Sequence, residues 1–154
     1  MAHWLLKTEP ETFGIDKLAS LPKRRTSWDG VRNYQARNLL RDQVRLGDLA
    51  YMYHSSCAVP GIVGIVRVVR AAYPDVSAFD RHDSHYDPDS DRSAPRWYTI
   101  DVQLQRRMRR VITLDELRAH ANGKLRGMVL LQRGTRLSVM PVSDSHWRFI
   151  LSLE

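Results

Sequence analysis

The sequence is poor in cysteine and in long apolar runs, and each shortage excludes a class of protein. Cys57 is the only cysteine among 154 residues, so neither an internal disulfide nor a Cys-X-X-Cys metal site can form. No stretch approaches the roughly 20 apolar residues of a membrane-spanning helix. The N-terminal segment MAHWLLKTEPE also lacks the apolar run of a signal peptide. We therefore expect a cytoplasmic protein with no membrane partner.

Lysine is scarce as well, and arginine takes its place. The chain has four lysines and 20 arginines, with a net charge of +7. The planar guanidinium suits phosphates and base edges better than an ammonium group does. Nucleic acid is therefore the first partner to consider. A high arginine content also arises from genomic base composition, so charge alone only favours this interpretation.

Length and periodicity predict one strand-rich domain over residues 1–154. Strands are expected at 3–7, 49–54, 62–71, 98–104 with an extension through 111–112, and 137–141. Helices are expected at 33–43, with Gly47 as a C-terminal cap, at 114–119 behind a Thr113–Glu116 capping box, and from Ser143 onward. Because no regular crossover helices separate the strands, we predict an α+β fold. Its mixed, mostly antiparallel sheet would form a small barrel with short helices at its ends.

Motifs for metal binding or catalysis are weak. His82–His85 offers two imidazoles and a carboxylate, but this spacing is common in solvated loops, so no metal site is predicted. Asp87–Asp91 opens like a calcium loop but lacks the required glycine and glutamate further along. His54–Cys57 places nucleophiles beside a histidine without a Gly-X-Ser-X-Gly elbow. Phosphate-cradling glycine loops are missing too, so neither a cofactor nor an enzyme activity is predicted.

Two polar segments are candidates for recognition. Residues 28–38 hold two aromatics, two arginines, two asparagines and a glutamine. Such side chains stack on bases and bind base edges, although a capped amphipathic helix with a buried aromatic pair explains the pattern equally well. Arg136 and Ser138 share one face of a predicted strand, opposite Leu137 and Val139. That face is either solvated or part of a cleft.

Together these stretches resemble the EVE domain family of the PUA-like superfamily. The resemblance follows the family's order and covers nearly the whole chain, apart from the loop that carries Cys57. Its most specific part is the run Gly30–Asn38. The other matching stretches are Trp4–Pro10, Trp28–Asp29, Gly47–Asp48, Tyr53–Ser55, Pro60–Gly64, Tyr73–Asp75, Tyr86–Pro88, Pro95–Trp97 and Arg136–Val142.

The resemblance implies a PUA-like pseudobarrel with a cleft. It also implies a non-catalytic module that binds a modified nucleobase of the 5-methylcytosine type in DNA or RNA, with the base flipped into a pocket. We expect aromatic walls, polar groups for base edges and cations for phosphates or a carbonyl oxygen. The expected aromatic walls are Trp28, Tyr34 and Trp97. The expected base-edge groups are Asn33, His54, Ser55 and Ser138, and the expected cations are Lys7, Arg32, Arg37 and Arg136. Trp4 and Trp147 are expected in the core.

Two other functions remain open. One is an interaction protein that binds a small molecule or anion, and the other is a nucleic-acid-processing enzyme built on His54 and the aspartate-rich segment 74–97. A module that contacts several phosphates should lose affinity steeply with salt, unlike a metabolite site. A reader that lacks its own effector domain would act through a separate effector protein.

Overall fold

The computed structural model describes residues 2–154, in which six strands form one mixed sheet. The strands are β1 (His3–Thr8), β2 (Arg25–Ser27), β3 (Leu49–His54), β4 (Gly61–Pro74), β5 (Tyr98–Thr113) and β6 (Val139–Val142). Their spatial order is β2-β5-β4-β3-β1-β6. β1 runs parallel to β3, and every other neighbouring pair is antiparallel. The predicted α+β class, with a mostly antiparallel sheet and short helices, is confirmed.

Four helices accompany the sheet, and polar side chains begin three of them. They are α1 (Ile15–Ser20), α2 (Tyr34–Asp42), α3 (Leu114–Ala119) and α4 (Asp144–Leu153). Asn33, Thr113 and Ser143 cap α2, α3 and α4 by accepting a backbone N–H from the first turn. No helix within residues 2–154 is long and apolar enough to cross a bilayer.

Three local expectations need correction. Glu116 does not close a capping box, because both of its carboxylate oxygens accept from the Arg110 guanidinium at 2.7 Å, a stronger, charge-assisted pair. Gly47 is not the C-terminal cap of α2, which ends at Asp42 with Gln43 as its cap; the φ of +89° at Gly47 belongs to the following turn. β6 starts at Val139 rather than at 137, so the preceding residues form an irregular segment.

A buried carboxylate joins the first strand to the turn before β3. Asp48 is only 3% exposed and accepts from Trp4 Nε1 at 2.9 Å and from the Arg45 amide at 2.9 Å. The other expected core tryptophan, Trp147, stacks on Tyr51 with ring centroids 3.9 Å apart. Since a buried charge is costly without partners, these hydrogen bonds fix how β1 meets β3.

We expect Asp48→Ala to lower the free energy of unfolding by about 3 kcal/mol, because it leaves the Trp4 indole N–H and the Arg45 amide without an acceptor. Asp48→Asn should cost less, since its amide oxygen can still accept. Urea unfolding measures both variants beside Asp42→Ala, which removes an exposed carboxylate. Equal losses for all three would show that the Asp48 hydrogen bonds do not stabilise this junction.

Candidate functional site

A cavity of about 680 Å³ opens beside β1 and β2, a volume typical of small-molecule pockets. Residues that follow β1 and β2, together with the irregular segment before β6, complete its walls. The lining combines aromatic, hydroxyl and charged side chains. The aromatic residues are Phe13 and Trp28, and the hydroxyl residues are Thr8, Thr12, Thr26, Ser27, Ser55 and Ser138. The charged or ionisable residues are Lys7, Glu9, Asp29, His85 and Arg136. Such a mixture can hold a flat polar ring.

The aromatic wall is set rigidly into the fold. Trp28 is 7% exposed, and its backbone N–H donates to the Ile100 carbonyl at 2.7 Å, which continues the pairing of β2 with β5. Phe13 meets the Trp28 ring edge to face, with centroids 6.2 Å apart and planes at 88°. The wall is therefore formed before any ligand arrives.

Several polar side chains in the cavity have no partner among residues 2–154. The side chains of Lys7, Asp29, Arg136 and Ser138 take part in no hydrogen bond and no ion pair there. The Lys7 ammonium lies 5.9 Å from the centroid of the Tyr53 ring, and burial lowers its pKa. The Lys7 backbone N–H donates to the Ser138 carbonyl at 2.9 Å, which fixes Ser138 against β1. These four groups remain available to a ligand.

Asp29 is, with Glu9, one of the two acidic side chains in the cavity lining. Desolvation, followed by the neighbouring Asp75 and Asp83 carboxylates, raises its pKa, although His85 opposes the shift. Ligand atoms of Asp29, Asp83 and His85 all lie within 4.8 Å of one another. His85 Nδ1 already pairs with an Asp83 oxygen at 3.1 Å. No local sequence pattern predicts this convergence, because Asp29 is distant in sequence from Asp83 and His85.

Arg32 lies behind the cavity and ties its wall to the aspartate-rich segment. Its guanidinium donates to Asp75 Oδ2 at 3.0 Å, to Ser77 Oγ at 3.2 Å and to the His85 carbonyl at 2.7 Å. Asp75, 1% exposed, also accepts from the Gly30 amide at 2.9 Å. Burial alone would raise the pKa of Asp75, but the hydrogen bonds from Ser77, Gly30 and Arg32 bring it below its ordinary value.

A second aromatic pair lies outside the cavity lining. Tyr34 and Trp97 stack with centroids 4.9 Å apart, and Arg37 lies 4.9 Å from the Tyr34 ring centroid. Trp97 Nε1 donates to Asp87 at 2.7 Å, and Arg37 donates to the Arg96 carbonyl at 2.6 Å. These contacts hold the end of the aspartate-rich segment against α2.

The structure divides the eleven predicted ligand residues into two groups. Five line the cavity: Lys7, Trp28, Ser55, Arg136 and Ser138. Six lie outside its lining: Arg32, Asn33, Tyr34, Arg37, His54 and Trp97. Most polar atoms of this second group form hydrogen bonds within the protein. Asn33 Oδ1 accepts from the Ala36 amide at 2.9 Å, and His54 Nε2 accepts from the Ile15 amide at 3.1 Å. Burial also lowers the His54 pKa.

Sequence reasoning did not select Phe13, Asp29 or His85 as lining residues. Asp29 lies within the run 28–38 that was singled out, so its composition offered a signal. His85 reaches the cavity from the aspartate-rich segment, and no local pattern marks that approach. Phe13 follows β1 in an irregular stretch, where periodicity gives no information on the direction of a side chain.

Comparisons with known proteins agree on one family. The profile of the EVE domain matches residues 2–153. Thymocyte nuclear protein 1 from Homo sapiens is 45% identical over 168 residues, covering 99% of this chain and 74% of that protein. The crystal structure of human THYN1 protein in complex with 5-methylcytosine containing DNA matches with a TM-score of 0.95 and 44% identity, covering 99% of this chain and 97% of the other. A Pseudomonas putida protein matches with a TM-score of 0.93 and 44% identity, covering 99% of each chain.

We expect Asp75→Asn to lower the free energy of unfolding at pH 7 by about 2–4 kcal/mol, because Arg32 then loses its buried anion. The depressed pKa means that the Asp75 charge stabilises the fold above the unfolded-state pKa of about 3.9. This stabilisation disappears as the pH falls through the lower folded-state pKa. The gap between wild type and variant should therefore shrink in strong acid.

Urea unfolding at pH 7 and at lower pH measures this gap, with Asp89→Asn as the control at an exposed position in the same segment. The control should stay within about 0.5 kcal/mol of the wild type. A gap that does not change with pH would mean that the Asp75 charge is not what stabilises the wall.

Proposed function

The chain belongs to the EVE domain family, as its motifs predicted, and on that premise we propose that it is a non-catalytic module. It binds a modified nucleobase of the 5-methylcytosine type in DNA or RNA. The observation that carries this proposal is the cavity, which sets an aromatic wall beside polar groups that have no partner within the described chain. The DNA-bound human relative, with nearly the same backbone, supports it.

The shape of the site suits a base that has left its stack. A flipped base needs a flat apolar surface, and the perpendicular rings of Trp28 and Phe13 each present one side of an aromatic corner in the cavity lining. Stacking on an aromatic side chain is worth about 1–3 kcal/mol per base. Because Trp28 is already held by its neighbours, little conformational entropy is lost when the base arrives.

The unpaired polar groups suit the edge of a cytosine. A carboxylate is the side chain that accepts from the exocyclic amine of cytosine, and Asp29 is available for that role. Lys7, Arg136 and Ser138 can donate to the ring carbonyl and to flanking phosphates. The net charge of +7 favours approach of the polyanion.

The two histidines near the site already have partners within the protein. His54 Nε2 accepts from the Ile15 amide, and His85 Nδ1 pairs with Asp83. Neither ring makes a hydrogen bond to a hydroxyl or thiol within residues 2–154, the arrangement that nucleophilic catalysis requires.

Tryptophan fluorescence titration with matched oligonucleotides tests the proposal, since Trp28 forms the wall. The set comprises single- and double-stranded DNA and RNA, with cytosine, 5-methylcytosine or 5-hydroxymethylcytosine. We expect preferential binding of one modified form, and Ser138→Ala and Arg136→Gln should each weaken that binding by about tenfold. Arg148→Gln removes an exposed charge outside the cavity and serves as the control. Equal, salt-sensitive binding of every oligonucleotide would contradict the proposal.

Asp29 should give the binding a distinctive pH dependence. If its ionised carboxylate accepts from the cytosine amine, affinity rises with pH as Asp29 loses its proton. Because its pKa is raised, that change lies above the usual range of an aspartate. We expect Asp29→Asn to weaken binding by about tenfold at pH 7 and to flatten this profile. Asp89→Asn is the control. Identical pH profiles for the wild type and Asp29→Asn would show that the Asp29 carboxylate does not bind the base.

A further inference from the structure

A second cavity of about 490 Å³ adjoins the first, between β1, β3, α3 and the segment after Val129–Leu131. Its charged lining residues are all basic: Lys7, Arg118 and Arg133. No aspartate or glutamate contributes to the lining, although the chain as a whole has 17 acidic residues. The cavity is therefore electropositive by composition.

None of these three cations is neutralised by the part of the chain that the structure describes. Neither Arg118, Arg133 nor the Lys7 amine donates a side-chain hydrogen bond or lies within 4.0 Å of a carboxylate there. Arginines on β5 differ: Arg106 pairs with Glu154, and Arg110 pairs with Glu116 at 2.7 Å. Three like charges around one concave surface repel one another, and an anion relieves that repulsion.

Lys7 connects the two cavities, because its side chain belongs to both linings. The turn before β6 separates them, with Gly134 and Thr135 facing the second cavity and Arg136 facing the first. A strand whose base occupies the first cavity therefore has the Lys7 amine within reach, and the same amine faces the second cavity. Tyr53 is the aromatic residue of this lining, but it is only 2% exposed and the Lys7 ammonium lies 5.9 Å from its ring centroid. It therefore leaves little ring surface on which a base could stack.

We propose that the second cavity binds a backbone phosphodiester of the same strand whose modified base enters the first, with Arg118 and Arg133 as donors. This inference rests on the proposed function and adds a phosphate subsite to it. Guanidinium groups bind phosphate through charge-assisted, often bidentate hydrogen bonds. The contact is independent of base identity, so it supplies affinity and register rather than discrimination.

Oligonucleotide titrations of Arg118→Gln and Arg133→Gln over a range of salt concentrations test this subsite. Both positions are exposed, so the variants keep the fold, and Arg148→Gln matches the change in net charge outside both cavities. We expect each cavity variant to lose roughly tenfold in affinity and about 0.7–0.9 in the slope of log affinity against log salt. The preference for modified over unmodified cytosine should stay unchanged.

The outcomes separate failure of the subsite from failure of the base pocket. One result is that the wild type prefers the modified base while Arg118→Gln and Arg133→Gln keep the affinity and salt slope of Arg148→Gln. That result overturns the phosphate subsite alone. A wild type with no preference contradicts the proposed function, whatever the salt slopes are. Inorganic phosphate at constant ionic strength distinguishes the source of the anion. Weak competition supports a backbone phosphate, and strong competition, lost in Arg133→Gln, assigns the cavity to free phosphate instead.

Discussion

The geometry of the site depends on one buried carboxylate. Asp75 is almost wholly removed from water, and such a charge is tolerated only when hydrogen bonds surround it. Its oxygens accept from Ser77 on one side and from Gly30 and Arg32 on the other. The segment that follows the Trp28 wall and the aspartate-rich segment are thereby fastened to the same group. Residues 28–33 have no regular secondary structure, and the aspartate-rich segment forms mainly turns and the short 3-10 helix Val76–Phe79. The carboxylate therefore holds the two segments together.

Gly30 shows how closely the two segments approach. Its φ of +79° is a conformation that other residues rarely adopt, and a Cβ there would collide with the imidazole of His85. The same contact brings His85 to the cavity mouth, beside Asp29 and Asp83. The mixed charge at the mouth is therefore a consequence of how Asp75 holds the backbone, rather than of any local motif.

Much of the fold could be predicted because periodicity reports burial directly. β3 begins and ends at the predicted residues, and so does α3 behind its Thr113 cap. The site was less predictable, since it depends on which side chains already have partners. Residues 32–34 carry suitable chemistry for a base pocket, yet Asn33 caps α2 and Arg32 binds Asp75. A sequence states that an arginine is present, but it does not state which carboxylate lies within reach.

The difference between the residues that are present and those that lack a partner also decides how the charge of the chain acts. Twenty arginines make nucleic acid a reasonable partner, but several of them are neutralised by acids that are near only in the folded state, as Glu154 is for Arg106. The cations without an acid partner include Lys7 and Arg136 around the first cavity, and Arg118 and Arg133 around the second. These four cations lie around the two cavities beside β1, where they would attract the backbone of a bound strand. The free carboxylate of Asp29 lies at the first cavity, where a base amine rather than a phosphate is the favourable partner. The first cavity thus offers a base both acidic and basic groups, whereas the second offers a phosphate only basic ones.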